Sequence, residues 1–304
     1  MAGYHPDIND PDAFVLYRYR PNLAAAVIFI ILFLLTTLFH TFQIWRKRTW
    51  YFIPLVIGGI FEVIGYVGRA LSHQDQWQLG PFIMQSLLLL VAPALFAASI
   101  YIILGRIILM TDGERRSMVR LKWLTKLFVT GDVISFLLQA GGGGIQSSGT
   151  LSAMKTGEKL IVIGLFVQLA FFGFFVAVAA IFHTRLERYG PGSTLDLGAL
   201  PWKRHLLALY ASSTLILVRS VFRVIEYLMG NAGYLLRHEV FLYIFDAILM
   251  LAVMIIFNVV HPGQVTDLYQ QRVAGHKEAR SEDASGVAMQ QPRNGREVPS
   301  GPWS

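Results

Sequence analysis

Seven ionisable residues stand inside stretches that are otherwise apolar: Glu62, Arg69, Asp132, Arg219, Arg223, Glu226 and Asp246. At the centre of a membrane helix each costs roughly 2.5–3.5 kcal/mol on insertion scales, so such residues turn inward and find partners. Their spacing is helical. Glu62, Tyr66 and Arg69 stand at i, i+4 and i+7, which is one helix face. Arg219, Arg223 and Glu226 repeat that spacing, and so do Glu239, Tyr243 and Asp246. Asp132, Ser135 and Gln139 form a comparable face, and Gln85 adds a polar group on a further stretch. Carboxylates grouped in this way can hold a cationic head group, and guanidiniums an anionic one. The plainer reading is a set of ion pairs that keeps helices in register. Helix gluing is ordinarily done by Ser, Thr and Gly, so so large a set favours a hydrated binding pocket.

Such residues need helices to hold them. The chain has 304 residues, 54% of them hydrophobic and only 15% charged. An average soluble domain carries about 25% charged residues, and a disordered chain needs low hydrophobicity with high charge. The composition argues against a soluble enzyme and excludes a disordered chain. The absence of cysteine removes disulfides, thiolate metal sites, Cys nucleophiles and S-palmitoylation. A net charge of +7 raises the question of nucleic acid. Residues 1–21 carry three Asp and two Arg, and residues 263–304 carry five charges of each sign. The excess therefore lies in the apolar region and its short loops, where it is an orientation signal and no nucleic-acid patch.

Apolar stretches of about 20 residues read as transmembrane helices, and there are seven: Asn22–Ile44, Trp50–Ser72, Gly80–Met110, Lys122–Gly144, Gly157–His183, Trp202–Met229 and His238–His261. The reading is an all-α, seven-helix membrane bundle over 22–261, with a 21-residue N-terminal segment before it and a polar, disordered tail over 262–304. Gly141–Gly144 reads as a helix terminus and flexible turn. It opens no phosphate-binding loop, so no ATP hydrolysis by this chain is expected. Loops after the first, third and fifth spans hold eleven basic residues, and the other loops hold three. By the positive-inside rule the N-terminus is external and the tail cytosolic. Trp45, Trp50, Trp123 and Trp202 then fall at the cytosolic interface. Arg69, Gln85, Gln139, Arg223, Glu226 and Asp246 come to one level in the outer half of the bilayer, with Glu62 near the middle.

Several segments resemble the fungal lipid-translocating exporter family, the RTA-like, aminocholesterol-resistance proteins. They are Glu62-x-x-Gly65-Tyr66-x-x-Arg69, Ala92-Pro93-Ala94, Asp132-x-x-Ser135-x-x-x-Gln139-x-Gly141, Gly164-Leu165-x-x-Gln168, Arg219-x-x-x-Arg223-x-x-Glu226 and Glu239-x-x-x-Tyr243-x-x-Asp246. The resemblance runs from about Tyr17 to His261 and adds Gln168 to the candidate site. It implies a seven-helix protein of the plasma membrane, linked to movement of sphingoid bases or other lipids and to resistance against lipophilic toxins. The expected partners are membrane lipids or amphiphilic small molecules, without a cofactor. Two other classes remain open at this point. A seven-helix lipid sensor fits the same topology. A metal-dependent lipid hydrolase would need His40, His183, His205 and His261, near the cytosolic ends of four spans, to converge on Zn²⁺; no two of them stand at i, i+4.

Overall fold

Within hydrocarbon every backbone N–H and C=O has to be satisfied inside its own segment, which makes the apolar stretches helices. The computed structural model describes residues 15–146, 151–190, 202–230 and 233–263, and its regular elements are all helical. In chain order α1 is Leu23–Lys47, α2 Ile53–Ser72, α3 Leu79–Met110, α4 Leu121–Gln146, α5 Leu151–Tyr189 and α6 Trp202–Leu228. The last long helix, α7, covers Glu239–Val259. Local chemistry sets the ends. Asn22 caps α1, its Oδ1 accepting from the Ala25 amide at 3.1 Å. Arg48 ends the same helix in a left-handed conformation, and Pro54 stands in the first turn of α2, where its missing N–H costs nothing.

Six of these helices (α1, α2, α3, α5, α6 and α7) are long and apolar enough to cross a membrane, and the chain is an integral membrane protein. Expected as a further span, α4 has 26 residues and thus the length, but it is not among these six. Lys122, Lys126, Asp132 and the glycine run dilute it. That run, expected to turn, is helical, and α4 continues to Gln146. Close packing on α5 explains the difference: a Cβ on Gly142 would stand 2.6 Å from the Gly157 carbonyl oxygen. Glycine here admits a neighbouring backbone instead of breaking the helix. The expected tail lies outside the described residues, apart from Pro262 and Gly263.

Successive helices pack side by side, and α7 closes the bundle against α1 and α6, while α3 meets α6 inside it. The most apolar part of α3 is 61% buried, against 22% for α1, so α3 is the central helix. Gly65 and Gly68 bring α2 onto α3, where a Cβ would come within 2.6 Å of Leu89 and 2.9 Å of the Pro81 carbonyl respectively. Outward faces carry exposed Ile28, Leu35, Leu137 and Leu207. Trp45, Trp50 and Trp123 are exposed as a membrane belt requires, but Trp202 is buried against His183.

Candidate functional site: a polar cavity joined to an apolar groove

At the end of the bundle where α2 turns into α3 lies a cavity of about 110 Å³. Five of the residues expected from the sequence line it: Arg69 from α2, Gln85 from α3, Arg223 and Glu226 from α6, and Asp246 from α7. Helical spacing explains their meeting, because each sits on the inward stripe of its own helix.

Arg69 is fully buried and holds the wall together. Its Nη2 donates to Glu239 Oε1 at 2.7 Å and to the Tyr19 hydroxyl at 2.9 Å. Its Nε donates to the Tyr243 hydroxyl at 3.1 Å, and its Nη1 to Gln85 Oε1 at 3.4 Å. Glu239 also accepts from the Asn22 amide at 2.8 Å, so one carboxylate ties the start of α1 to α2 and α7. On α6, Arg223 Nη1 pairs with Glu226 Oε2 at 2.6 Å. Arg219, one turn earlier, pairs with Asp246, and its Nη2 donates to the Leu89 carbonyl at 2.7 Å. Tyr243 and Asp246 belong to a π-helical segment, Tyr243–Ile248. Such wide turns are frequent at functional sites because they re-aim side chains out of the α-helical register.

The chain before α1 folds over the cavity. Tyr17 donates to Gln85 Oε1 at 2.7 Å and packs edge-on against Phe82 with ring centres 5.3 Å apart. Burial pushes its phenol up to about 12, so at neutral pH it stays a protonated donor. Tyr17, Tyr19 and Glu239 stand outside the set of site residues expected from the sequence. Glu239 shares the spacing of Tyr243 and Asp246 and was findable on that ground; the two tyrosines precede the first span and carry no periodic signal.

The remaining expected residues stand elsewhere. Glu62 and Tyr66 lie beneath the cavity, within electrostatic reach of Asp246, and Glu62 also of Arg219. Tyr66 stacks on Phe29 and Phe33, each with ring centres 5.6 Å away. Asp132 accepts from the Tyr101 hydroxyl at 2.9 Å, between α4 and α3. Gln139 donates to Ser135 Oγ at 2.6 Å and to Gln168 Oε1 at 3.2 Å, and Ser135 donates to the Gly164 carbonyl at 2.7 Å. That ladder fastens α4 to α5. Asp132 and Gln168 do not reach the polar cavity.

Gln139 does line a second space of about 150 Å³ between α3 and α4, whose walls include Leu79, Ile83, Leu87, Leu90 and Ile161. This groove shares Leu16, Phe82, Ser86, Gln146 and Tyr227 with the polar cavity, so the two adjoin. His40, His183, His205 and His261 line neither space. His40 and His261 flank Phe52, and His40 Nε2 lies 2.9 Å from the Met254 carbonyl. His183 packs on Trp202 and Tyr210. Among the described residues no three of His, Asp and Glu come close enough to hold a metal ion.

No solved structure matches the chain. Among curated sequences it is 38% identical to Protoporphyrin uptake protein 1 of Saccharomyces cerevisiae, over 81% of this chain and 91% of that one. To Protein RTA1 of the same yeast it is 34% identical, over 88% and 92% of the two chains. To the yeast sphingoid long-chain base transporter RSB1 it is 26% identical, over 80% and 72%. The model of the RTA1 like protein family matches residues 55–268. Those bounds take in the greater part of the chain and every helix that lines the cavity, and on this ground the chain belongs to the RTA1-like protein family.

Proposed function

We propose that this protein binds and moves amphiphilic lipids across the plasma membrane, taking the polar head in the cavity and the alkyl chain in the adjoining groove. The observation that carries the reading is the shared wall of the two spaces. A polar compartment lined by arginines and carboxylates beside an apolar slot matches a molecule with one polar end and one hydrocarbon end. Relatives named for a sphingoid long-chain base and for a porphyrin, both amphiphilic, support the same class of ligand. In this reading α4 is a seventh crossing: it packs along α5, and Val133, Ile134 and Leu137 expose an apolar face suited to lipid. The N-terminus is external, so the cavity opens on the outer leaflet, and residues beyond 261 form a cytosolic tail. Movement draws on gradients and not on ATP hydrolysed by this chain.

Binding of sphingoid long-chain bases of graded alkyl length to the purified protein in nanodiscs tests this. Gly143 lines the groove, and a Cβ there meets nothing within 4 Å, so a side chain can start at this position without a backbone clash. Gly143→Leu should weaken long-chain bases while sparing short ones. Glu226→Gln keeps an isosteric oxygen that can accept from Arg223, so it should fold, and it should weaken all of them about tenfold or more, the effect of losing one charged hydrogen-bond partner. Chain-length dependence that survives Gly143→Leu would remove the groove from the ligand path.

A further inference from the structure

Beneath the cavity, and joined to it through Asp246, is a buried group whose chemistry the binding site as described leaves unexplained. Glu62 from α2 and Asp246 from α7 are 1% and 2% exposed. Glu62 Oε1, Asp246 Oδ2 and the Tyr66 hydroxyl, all buried, have no hydrogen-bond partner among the described residues. The three are electrostatic neighbours: Tyr66 senses both carboxylates, and Glu62 senses Asp246. From α6, Arg219 faces the pair and bonds Asp246 through Oδ1, and Arg223 reaches Asp246 from one turn further on. Arg69 and Tyr243 are the remaining electrostatic neighbours of Tyr66.

Charge counting makes the group unusual. Arg69 is matched by Glu239 and Arg223 by Glu226. Arg18 and Glu158, which also line the cavity, are opposite in sign and cancel in the count. Arg219 is left to balance two carboxylates, so with both ionised the group carries one excess negative charge inside the bundle. A lone buried charge of this kind is neutralised more cheaply than it is solvated. One positive charge is required. Three unsatisfied oxygens are few for a hard metal cation, which takes about six or more oxygen ligands, whereas a single proton on one of the two carboxylates is enough to remove the excess charge. Asp246 also lines the cavity, so the group touches whatever occupies it.

We propose that Glu62, Tyr66 and Asp246 form a proton-binding site at the floor of the cavity, whose loading is coupled to occupancy of the cavity. A cationic head group beside Asp246 would compete with the proton and release it, and departure of the head group would restore it. The coupling half rests on the proposed function; the proton site itself does not.

Infrared spectroscopy of the lipid-free protein in nanodiscs tests the proton site directly. At neutral pH a C=O band of a protonated carboxyl, shifted in D₂O, is expected in the wild type and lost in Glu62→Gln. Tyr66→Phe keeps the ring stack and removes only an unpartnered hydroxyl, so it should fold and move the pH midpoint of the band. No such band, a band indifferent to Glu62→Gln, or one displaced by Na⁺ at fixed pH would overturn the site. Proton release on adding a sphingoid base, read with a pH indicator in weak buffer, tests the coupling. About one proton per base bound is expected in the wild type and none in Glu62→Gln. Binding without proton release would overturn the coupling alone. A band without any binding would leave the proton site standing, overturn its coupling to such a base and count against the proposed function.

Discussion

Arg219 donates to the carbonyl oxygen of Leu89 at 2.7 Å, on the helix that Pro93 interrupts. Leu89 stands four residues before Pro93, so its carbonyl is the one that proline, lacking an N–H, leaves without a helical donor. An unsatisfied backbone carbonyl in the membrane interior costs several kcal/mol. A charged side chain on α6 thus repairs a defect in α3, and the same guanidinium holds Asp246 on α7. Three helices meet at one side chain.

Arg219→Gln should therefore destabilise the bundle by about 3–5 kcal/mol, as removal of one partner of a buried pair does. Pro93→Ala returns an N–H to the Leu89 carbonyl. In that background the cost of Arg219→Gln should fall by about 1–3 kcal/mol, the price of one orphaned buried acceptor. A double-mutant cycle of thermal unfolding in detergent checks this, and strict additivity would mean that the Leu89 bond contributes nothing.

Arg69 has no exposed surface and bonds four side chains, including Glu239 at 2.7 Å. Arg69→Gln leaves Glu239 unpaired and should cost about 3–5 kcal/mol, seen first as poor expression. Combining it with Glu239→Gln should recover part of that loss, because the orphaned charge is then gone. Surface abundance of the two single variants and the double variant decides the matter; a double variant worse than either single one would refute it.

The glycines divide into two kinds that one residue can tell apart. At Gly68 a Cβ meets the Pro81 carbonyl at 2.9 Å, so Gly68→Ala should cost about 1–3 kcal/mol through overpacking. At Gly143 there is open space within α4, and Gly143→Ala should stabilise by up to ~1 kcal/mol through helix propensity alone. Melting temperatures of the two variants should move in opposite directions.

Because the sequence contains no cysteine, single-cysteine labelling needs no background removal. Gln74, between α2 and α3, and Glu114, between α3 and α4, are both exposed. On intact cells a membrane-impermeant maleimide should modify Gln74→Cys and spare Glu114→Cys. The reverse pattern would invert the proposed orientation and turn the cavity to the cytosol.

What the sequence settled by itself was the helical class and the inward faces. Both depend on local spacing: apolar runs long enough to cross a bilayer, and polar residues at i, i+4 and i+7 that hydrocarbon forces inward. Arg69, Arg223, Glu226 and Asp246 were legible in this way. The limits of local reading appear at Gly141–Gly144, where glycine suggests a turn until α5 is seen to approach within van der Waals reach of Gly142. The same limit applies to Asp132 and Gln168. Their residue types suit a binding site, but helix packing turns Asp132 towards Tyr101 on α3 and Gln168 towards Gln139 on α4, away from the cavity. Tertiary structure alone decided the partners: Arg69 with Glu239, 170 positions apart, and Arg219 with both Asp246 and Leu89. It also brought Tyr17 and Tyr19 over the cavity and laid an apolar groove beside it. Spacing fixes which face of a helix is polar, but the neighbour that face meets follows from how all the helices pack at once.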